Sequence, residues 1–191
     1  MKVIGINGSP RLVGNTSIAL NVVLDELEKE GIETEHIQLY EAPMIPCNAC
    51  YSCALRRDGL CINETDRLNE YLEKMIKADG IIIASPVYFG NVTAQTKVFM
   101  ERAGLVARKS GNLLRRKVGA ALAIQRKAGA LMTFADITNF FLVNQMVVSG
   151  SSYWTIGNAD RPSQILEDEE ALDVFQDQGR EMAWLLKSIH S

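Results

Sequence analysis

Cysteine is absent from this chain outside one short stretch, and histidine is almost absent altogether, with only His36 and His190 among 191 residues. Neither histidine lies beside the cysteines, which weighs against a mixed Cys/His metal site. No Ser/His/Asp or paired-carboxylate signature stands out, so acid–base group transfer is not the chemistry the residues suggest. No apolar run reaches the ~20 residues needed to span a bilayer. Nothing at the N-terminus resembles a secretory signal, and the chain reads as cytoplasmic with no membrane partner. A basic tail is lacking and the net charge is only -3, so no nucleic-acid partner is expected. No Pro/Gly/Ser-rich linker, repeat or low-complexity segment divides the chain, and residues 1–191 are taken as one domain.

What is present is concentrated. All four cysteines lie between Cys47 and Cys61, as Cys47-Asn48-Ala49-Cys50-Tyr51-Ser52-Cys53 followed by Cys61. Successive C-x2-C steps let one loop present thiolates to several corners of a [4Fe-4S] cube, with a more distant cysteine closing the fourth. A single zinc ion more often takes two separated C-x2-C pairs or histidines. The spacing therefore favours an iron-sulfur cluster, with zinc or ligand-free redox thiols as the alternatives. Disulfides rank last, because a chain of this length buries a core without covalent staples.

The remainder alternates between two periodicities. Lys2 to Asn7 is a β-branched run ending at Gly8, as in a buried parallel strand. After the loop from Gly8 to Ser17, the positions Ile18, Ala19, Val22, Val23 and Leu27 recur at helical spacing up to Gly31. That loop has neither the lysine of a Walker A motif nor a G-x-G-x-x-G order. Its Ser9, Thr16 and Ser17 hydroxyls, with Asn15 and the charge of Arg11, suit one terminal monophosphate at a helix N-terminus. Asn15 or Thr16 serving merely as a helix cap is the plainer reading.

Thr34 to Tyr40 is a second strand, with the cysteine loop directly after it. Asn63 or Thr65 is expected to cap a helix carrying Leu68, Leu72, Met75 and Ile76 on one face. Ile81 to Ala84 reads as a central strand. Ser85-Pro86-Val87-Tyr88-Phe89-Gly90-Asn91 then leads to a helix from about Thr93 to Arg102. In an open parallel sheet ligands sit beyond the carboxyl ends of the strands. A ring attached to the phosphate would lie along Pro86 to Asn91, with Tyr88 or Phe89 as an aromatic wall unless both are ordinary packing.

Lys117 to Ile124 gives a fourth strand. The loop after it holds Arg126 and Lys127, able to offset negative charge on a reduced ring or simply solvated. The helix from Leu131 to Asn144 is apolar around most of its girth, requiring a subunit contact or further burial within the monomer. Met146 to Val148 with Ser151 to Ile156 makes a fifth strand or a pair of short ones. A last helix starts near Asp168. The expected fold is α/β, a flavodoxin-like three-layer doubly wound parallel sheet of order 2-1-3-4-5, with a cysteine-rich loop at about 41–65 inserted after strand 2.

Three blocks in this order carry a resemblance: Gly8-Ser9-Pro10-Arg11 with Gly14-Asn15-Thr16-Ser17, then C-x2-C-x2-C-x7-C, then Ser85-Pro86-Val87-Tyr88-Phe89-Gly90-Asn91. From Met1 to about Gly129 the chain resembles the iron-sulfur flavoproteins of archaea and anaerobes, within the wider NAD(P)H-dependent FMN reductase and flavodoxin-like group. The resemblance implies FMN held by Ser9, Pro10, Arg11, Asn15, Thr16 and Ser17 and by Pro86, Val87, Tyr88, Phe89, Gly90 and Asn91. Arg126 would stand near the ring. It implies Cys47, Cys50, Cys53 and Cys61 as ligands of a [4Fe-4S] cluster, a homodimer or homotetramer with cluster near flavin across a subunit boundary, and a ferredoxin-type electron carrier as partner. The expected function is an electron-transfer flavoprotein. An FMN-only NAD(P)H reductase of quinones, nitro compounds or flavin, and a zinc-stabilised non-catalytic binding module, are the rival readings.

Overall fold

The computed structural model describes residues 1–190, and its centre is set by three strands too apolar to face water. They are β1 (Lys2–Asn7), β3 (Gly80–Pro86) and β4 (Val118–Gln125), buried along nearly their whole lengths. With β2 (Glu33–Gln38) at one edge they form a parallel sheet of order β2-β1-β3-β4-β5, as the βαβ alternation predicts. Strand pleating divides each run between two cores. Ile4, Ile6, Ile81 and Ile83 face α3 (Leu68–Lys77), α4 (Ala94–Lys109) and α5 (Ala130–Val143), where Tyr71, Phe99 and Phe141 fill the layer. Val3, Ile82, Ala84 and Leu122 face the opposite layer of α1 (Asn15–Lys29) and α6 (Glu169–His190), filled by Leu20, Phe175 and Met182.

Several boundaries differ from the sequence expectation for identifiable reasons. β2 stops at Gln38, because Leu39–Glu41 winds into a 3₁₀ turn. The N-cap of α1 is the extended Gly14 with no side-chain cap, which frees Asn15 and Thr16 from the capping role. Asn63 closes its own turn by accepting from the Thr65 amide, while Asp66 Oδ1 receives the Leu68 amide at the start of α3. Thr93 does cap α4, accepting from the Thr96 amide at 3.3 Å, and α4 continues past Arg102 to Lys109.

The fifth strand is split, as one of the two expectations had it. β5 (Val147–Val148) pairs with Val118 and Gly119, and β6 (Ile156–Asn158) pairs with Ala123 to Gln125. Between them the chain leaves the ladder, and side chains replace it: Gln178 Nε2 donates to Ser149 Oγ, Ser151 Oγ donates to the Val174 carbonyl, and Thr155 Oγ1 donates to the Ala121 carbonyl. α5 is covered on one side only. Ile137, Phe140 and Phe141 are buried, whereas Leu131, Met132, Leu142 and Val143 are exposed. No helix among the described residues is long and apolar enough to cross a membrane.

Candidate functional site

The loop after β1 is held from beneath by buried polar groups. Asn7 Oδ1 accepts from the Ser9 amide at 3.0 Å, Gln38 Nε2 donates to the Ser9 carbonyl at 2.7 Å, and Thr93 Oγ1 donates to the Gly8 carbonyl at 2.7 Å. Gly8 is required here, since a Cβ would stand 1.9 Å from Thr96 Oγ1. Ser9 Oγ in turn accepts from the Arg11 amide at 3.1 Å, which curls the loop toward the N-terminus of α1. The first helical bond there runs from the Ile18 amide to the Gly14 carbonyl, and amides of the opening turn of a helix lack intrahelical partners. Asn7 Nδ2 and Gln38 Oε1 are buried with no hydrogen-bond partner among the described residues. Hydroxyls, an arginine and an uncapped helix start suit an anionic group, and the orphaned Asn7 Nδ2 adds a donor beneath them.

Two further loops complete this hollow. Val87 donates its amide to the Ile124 carbonyl at 2.8 Å, fastening the second loop across the sheet to β4. Tyr88 and Asn91 then exchange backbone hydrogen bonds around Phe89 and Gly90, both at positive φ. This geometry is that of a tight I′ hairpin turn, and a bulky side chain in such a position is strained. In the third loop Gly129 sits at φ 100, and a Cβ there would lie 2.9 Å from Gly90 Cα. The loops after β3 and β4 therefore touch.

A cavity of about 260 Å³ lies between them. Ser9, Arg11, Asn15 and Thr16 line one end, while Pro86, Val87, Tyr88 and Ile124 give the other an apolar wall closed by Arg126, Ala159 and Asp160. Arg126 is paired with Asp160 at 3.0 Å. Five residues named from the sequence stand elsewhere. Pro10 is exposed on the loop, Ser17 is buried in the first turn of α1, and Phe89, Gly90 and Asn91 form the hairpin turn outside the lining. Of the two aromatic candidates, Tyr88 lines the hollow and Phe89 projects fully into solvent. Asn15 is on the wall, yet its amide is engaged: Nδ2 donates to the Arg161 carbonyl at 2.9 Å, and Oδ1 accepts from the Ile165 amide at 3.3 Å.

The cysteine loop makes a second hollow, of about 70 Å³, on the α4 side of the sheet. Ala49 and Tyr51 are left-handed, and these reversals bring Cys47, Cys50 and Cys53 to the hollow that Cys61 reaches from the far side. A short helix the sequence did not signal, α2 (Ser52–Arg56), fits between left-handed Tyr51 and left-handed Arg57. All four thiols are free and all line the hollow, with Ile45, Pro46, Ile62, Leu105 and Val106 as apolar neighbours. Hydrogen bonds from Ser52, side chain first, lower the pKa of the Cys50 thiol, and burial raises that of Cys53.

Arg102 secures Cys61. It is 2% exposed and its partner Asp66 is 3% exposed. Nη2 donates to Cys61 Sγ at 3.2 Å, while Nη1 donates to Asp66 and to the Ile45 carbonyl at 3.1 Å. Asn69 fixes the Cys61 backbone through Oδ1 and Nδ2, at 2.8 and 2.9 Å. The Ala49 amide reaches Cys47 Sγ at 3.4 Å. Four sulfurs around one hollow, with N–H groups aimed at two of them, form a donor set suited to an iron-sulfur cluster. Among the described residues no three Cys, His, Asp or Glu side chains are grouped so as to hold a single metal ion.

The model for NADPH-dependent FMN reductases matches residues 1–161. Along nearly its full length the chain is 40% identical to an iron-sulfur flavoprotein of Methanocaldococcus jannaschii, over 196 residues and 99% of both chains. The chain belongs to the iron-sulfur flavoproteins, within the NADPH-dependent FMN reductase family. An iron-sulfur flavoprotein of Methanosarcina thermophila is 33% identical over 191 residues, covering 99% of this chain and 97% of that one. In fold, RosB with bound 8-demethyl-8-formylriboflavin-5'-phosphate matches with a TM-score of 0.80 at 20% identity, over 100% of this chain and 80% of that one. A flavodoxin from the domain Archaea matches with a TM-score of 0.64 at 16% identity, over 98% and 99%. The flavodoxin-like architecture with cysteines after β2 is thereby secured.

Sequence reasoning missed several residues that line or support this iron-sulfur flavoprotein's two hollows. Ile124, Ala159 and Asp160 in the lining, and Asn7 and Gln38 beneath the first loop, carry no motif, and Ala159 and Asp160 come from beyond the stretch in which the resemblance was legible. Arg102 and Asp66 were also missed. The one available signal was helical spacing, which places Arg102 on the same stripe as Leu105 and Val106.

Proposed function

We propose that this iron-sulfur flavoprotein passes electrons between a ferredoxin-type carrier and an acceptor by way of a [4Fe-4S] cluster at Cys47, Cys50, Cys53 and Cys61 and FMN in the hollow of the three loops. The observation that carries the reading is the four free thiols on one hollow, joined to the anion-suited loop by a single helix, α4. FMN takes up two electrons and the cluster one, so together they convert between single-electron and paired-electron chemistry.

The chain's own residues bind and orient. Ser9, Arg11 and Thr16, with the amides at the start of α1, would take the phosphate, and Ser17 would serve from within that first turn through its backbone. Pro10 and Asn15 shape that loop, Asn15 by anchoring residues 161–165 beside it. Pro86, Val87 and Tyr88 would lie against the ring, and the hairpin of Phe89, Gly90 and Asn91 would hold that wall in place. Arg126 would face the ring's edge, its charge moderated by Asp160. At α4, Thr93 supports the phosphate loop and Arg102 supports Cys61, about 14 Å apart along the axis at 1.5 Å per residue. The exposed face of α5 is where we place a second copy in a homodimer or homotetramer, which sedimentation of a Leu131→Glu/Leu142→Glu variant would test by yielding monomers.

A second reading, an FMN-only NAD(P)H reductase, has the matched family model and a 25% identical putative NAD(P)H-dependent FMN-containing oxidoreductase of Bacillus subtilis in its favour. Anaerobic mixing separates the two. Reduced ferredoxin is expected to bleach the flavin quickly in the iron-loaded protein and NADPH only slowly. Fast bleaching by NADPH in iron-free protein would establish the second reading instead.

A further inference from the structure

Most of the twenty Lys and Arg side chains are held by carboxylates, and those that are not fall in a pattern. Lys2, Lys29, Arg67, Lys74, Lys97, Arg102, Arg126, Arg161 and Lys187 are all in ion pairs. Among the described residues Arg11 and Lys127 are unpaired, and both belong to loops of the anion-suited hollow. Lys117 is half-buried and spent on the Ile76 and Ala78 carbonyls. The other unpaired cations are Arg57, Arg108, Lys109, Arg115 and Arg116. All are exposed: Arg57 follows α2, Arg108 and Lys109 end α4, and Arg115 and Arg116 lie in the segment after it, Arg116 beside Gln145 just past the end of α5.

The structure draws this group together. The Gly59 amide donates to Ser110 Oγ at 3.2 Å, and Leu113 packs against Gly59, so the segment after α2 rests on the turn that follows α4. The sequence leaves the charge uncompensated, since no Asp or Glu occurs between Glu101 and Asp136. Asp58 lies in the same loop, but Arg56 engages it. Beside the cations, Leu55 of α2 is 85% exposed, next to the helix turn that carries Cys53. An apolar contact point with unpaired positive charge around it, on a protein whose net charge is negative, fits a surface for brief docking of an acidic protein. Charge governs the encounter rate there, and small interfaces of this kind release quickly.

We infer that the face built from Leu55, Arg57, Arg108, Lys109, Arg115 and Arg116 is the landing surface for a small acidic electron-carrier protein. This rests on the proposed electron-transfer reading for its purpose, though not for its detection. Docked here, a carrier would stand over the shell of the cysteine hollow, on the opposite end of α4 from the three-loop hollow. The approach separates carrier traffic from the acceptor's access to the ring.

The test uses the whole chain and an acidic two-[4Fe-4S] ferredoxin in its oxidised form, titrated by calorimetry at low and at moderate salt. Lys109→Glu/Arg115→Glu is expected to weaken binding by about tenfold or more and to flatten its salt dependence, while Lys29→Glu on α1 leaves both unchanged. Far-UV circular dichroism and melting temperature confirm that the variants fold. Equal binding by the reversed-charge variant overturns the inference, as does failure of the unaltered protein to bind. Tighter binding to duplex DNA than to ferredoxin, or a self-association lost in the variant, overturns it in favour of a nucleic acid or a second copy. Iron and sulfide are assayed on the same samples. Protein that binds through this face yet holds no iron would defeat the cluster assignment and leave the surface standing.

Discussion

The two hollows of this protein are built on opposite plans. Around the loop after β1, buried hydrogen bonds from Asn7, Gln38 and Thr93 fix the backbone before any ligand arrives. The cysteine loop has two left-handed residues among its first thiols, an exposed Cys50, and a short helix that rests on α4 through the buried Cys53. Its rigid attachment is Arg102, with Asn69 behind it. One site is preorganised by the sheet, while the other is held at Cys61 and at the buried Cys53 with Cys50 left exposed, so the first should survive loss of its ligand better than the second.

The comparison is sharpened most by removing a thiol. Cys50→Ala is expected to abolish iron binding while FMN stays at full occupancy, measured by metal analysis and flavin absorbance after anaerobic purification. Full iron in that variant would break the assignment. Next in size is Arg102→Ala, which strands a buried Asp66 and releases Cys61. Breaking one side of a buried pair costs about 3–5 kcal/mol, to be read by urea denaturation, with iron loss exceeding FMN loss. Arg11→Ala should then weaken FMN by about 1.5–3 kcal/mol and leave riboflavin affinity unaltered, because a charge-assisted contact to phosphate is removed. Thr93→Val, deleting the support under Gly8 and the cap of α4, should cost about 1–2 kcal/mol of stability.

The smallest effect concerns an exposed ion pair that lines neither hollow. Arg67, then Lys74, hold the Glu70 carboxyl down to about 2. A folded-state value below the unfolded one means the pair stabilises the protein above pH ~4.5 and ceases to as the pH falls toward 2. Because the side chain is well exposed, the Glu70→Gln change should cost only a few tenths of a kcal/mol at neutral pH, shrinking as the pH falls to 2 and vanishing below it.

What the sequence disclosed follows the same division. β1, β3 and β4 were legible because a strand buried on both faces must be apolar throughout, and the loops after them were legible because parallel strands place them on one edge. The cysteine spacing announced a ligand set. Residues that act through long-range hydrogen bonds were silent: Gln38 reaches Ser9 across 29 positions and Arg102 reaches Cys61 across 41, and no local pattern encodes such pairs. The caps of α1 and α3 were misplaced for a related reason. Asn15, a good cap by type, is drawn instead to Arg161 and Ile165, so tertiary contacts override local propensity. Phe89 was equally opaque, since its outward direction depends on an I′ turn closed by Tyr88 and Asn91.

The most direct measurement is the cofactor content of protein purified without oxygen. Visible absorbance combined with iron, acid-labile sulfide and flavin analysis is expected to give about four iron and four sulfide with one FMN per chain. One FMN per chain with no sulfide, or with zinc in place of iron, would contradict the cluster assignment.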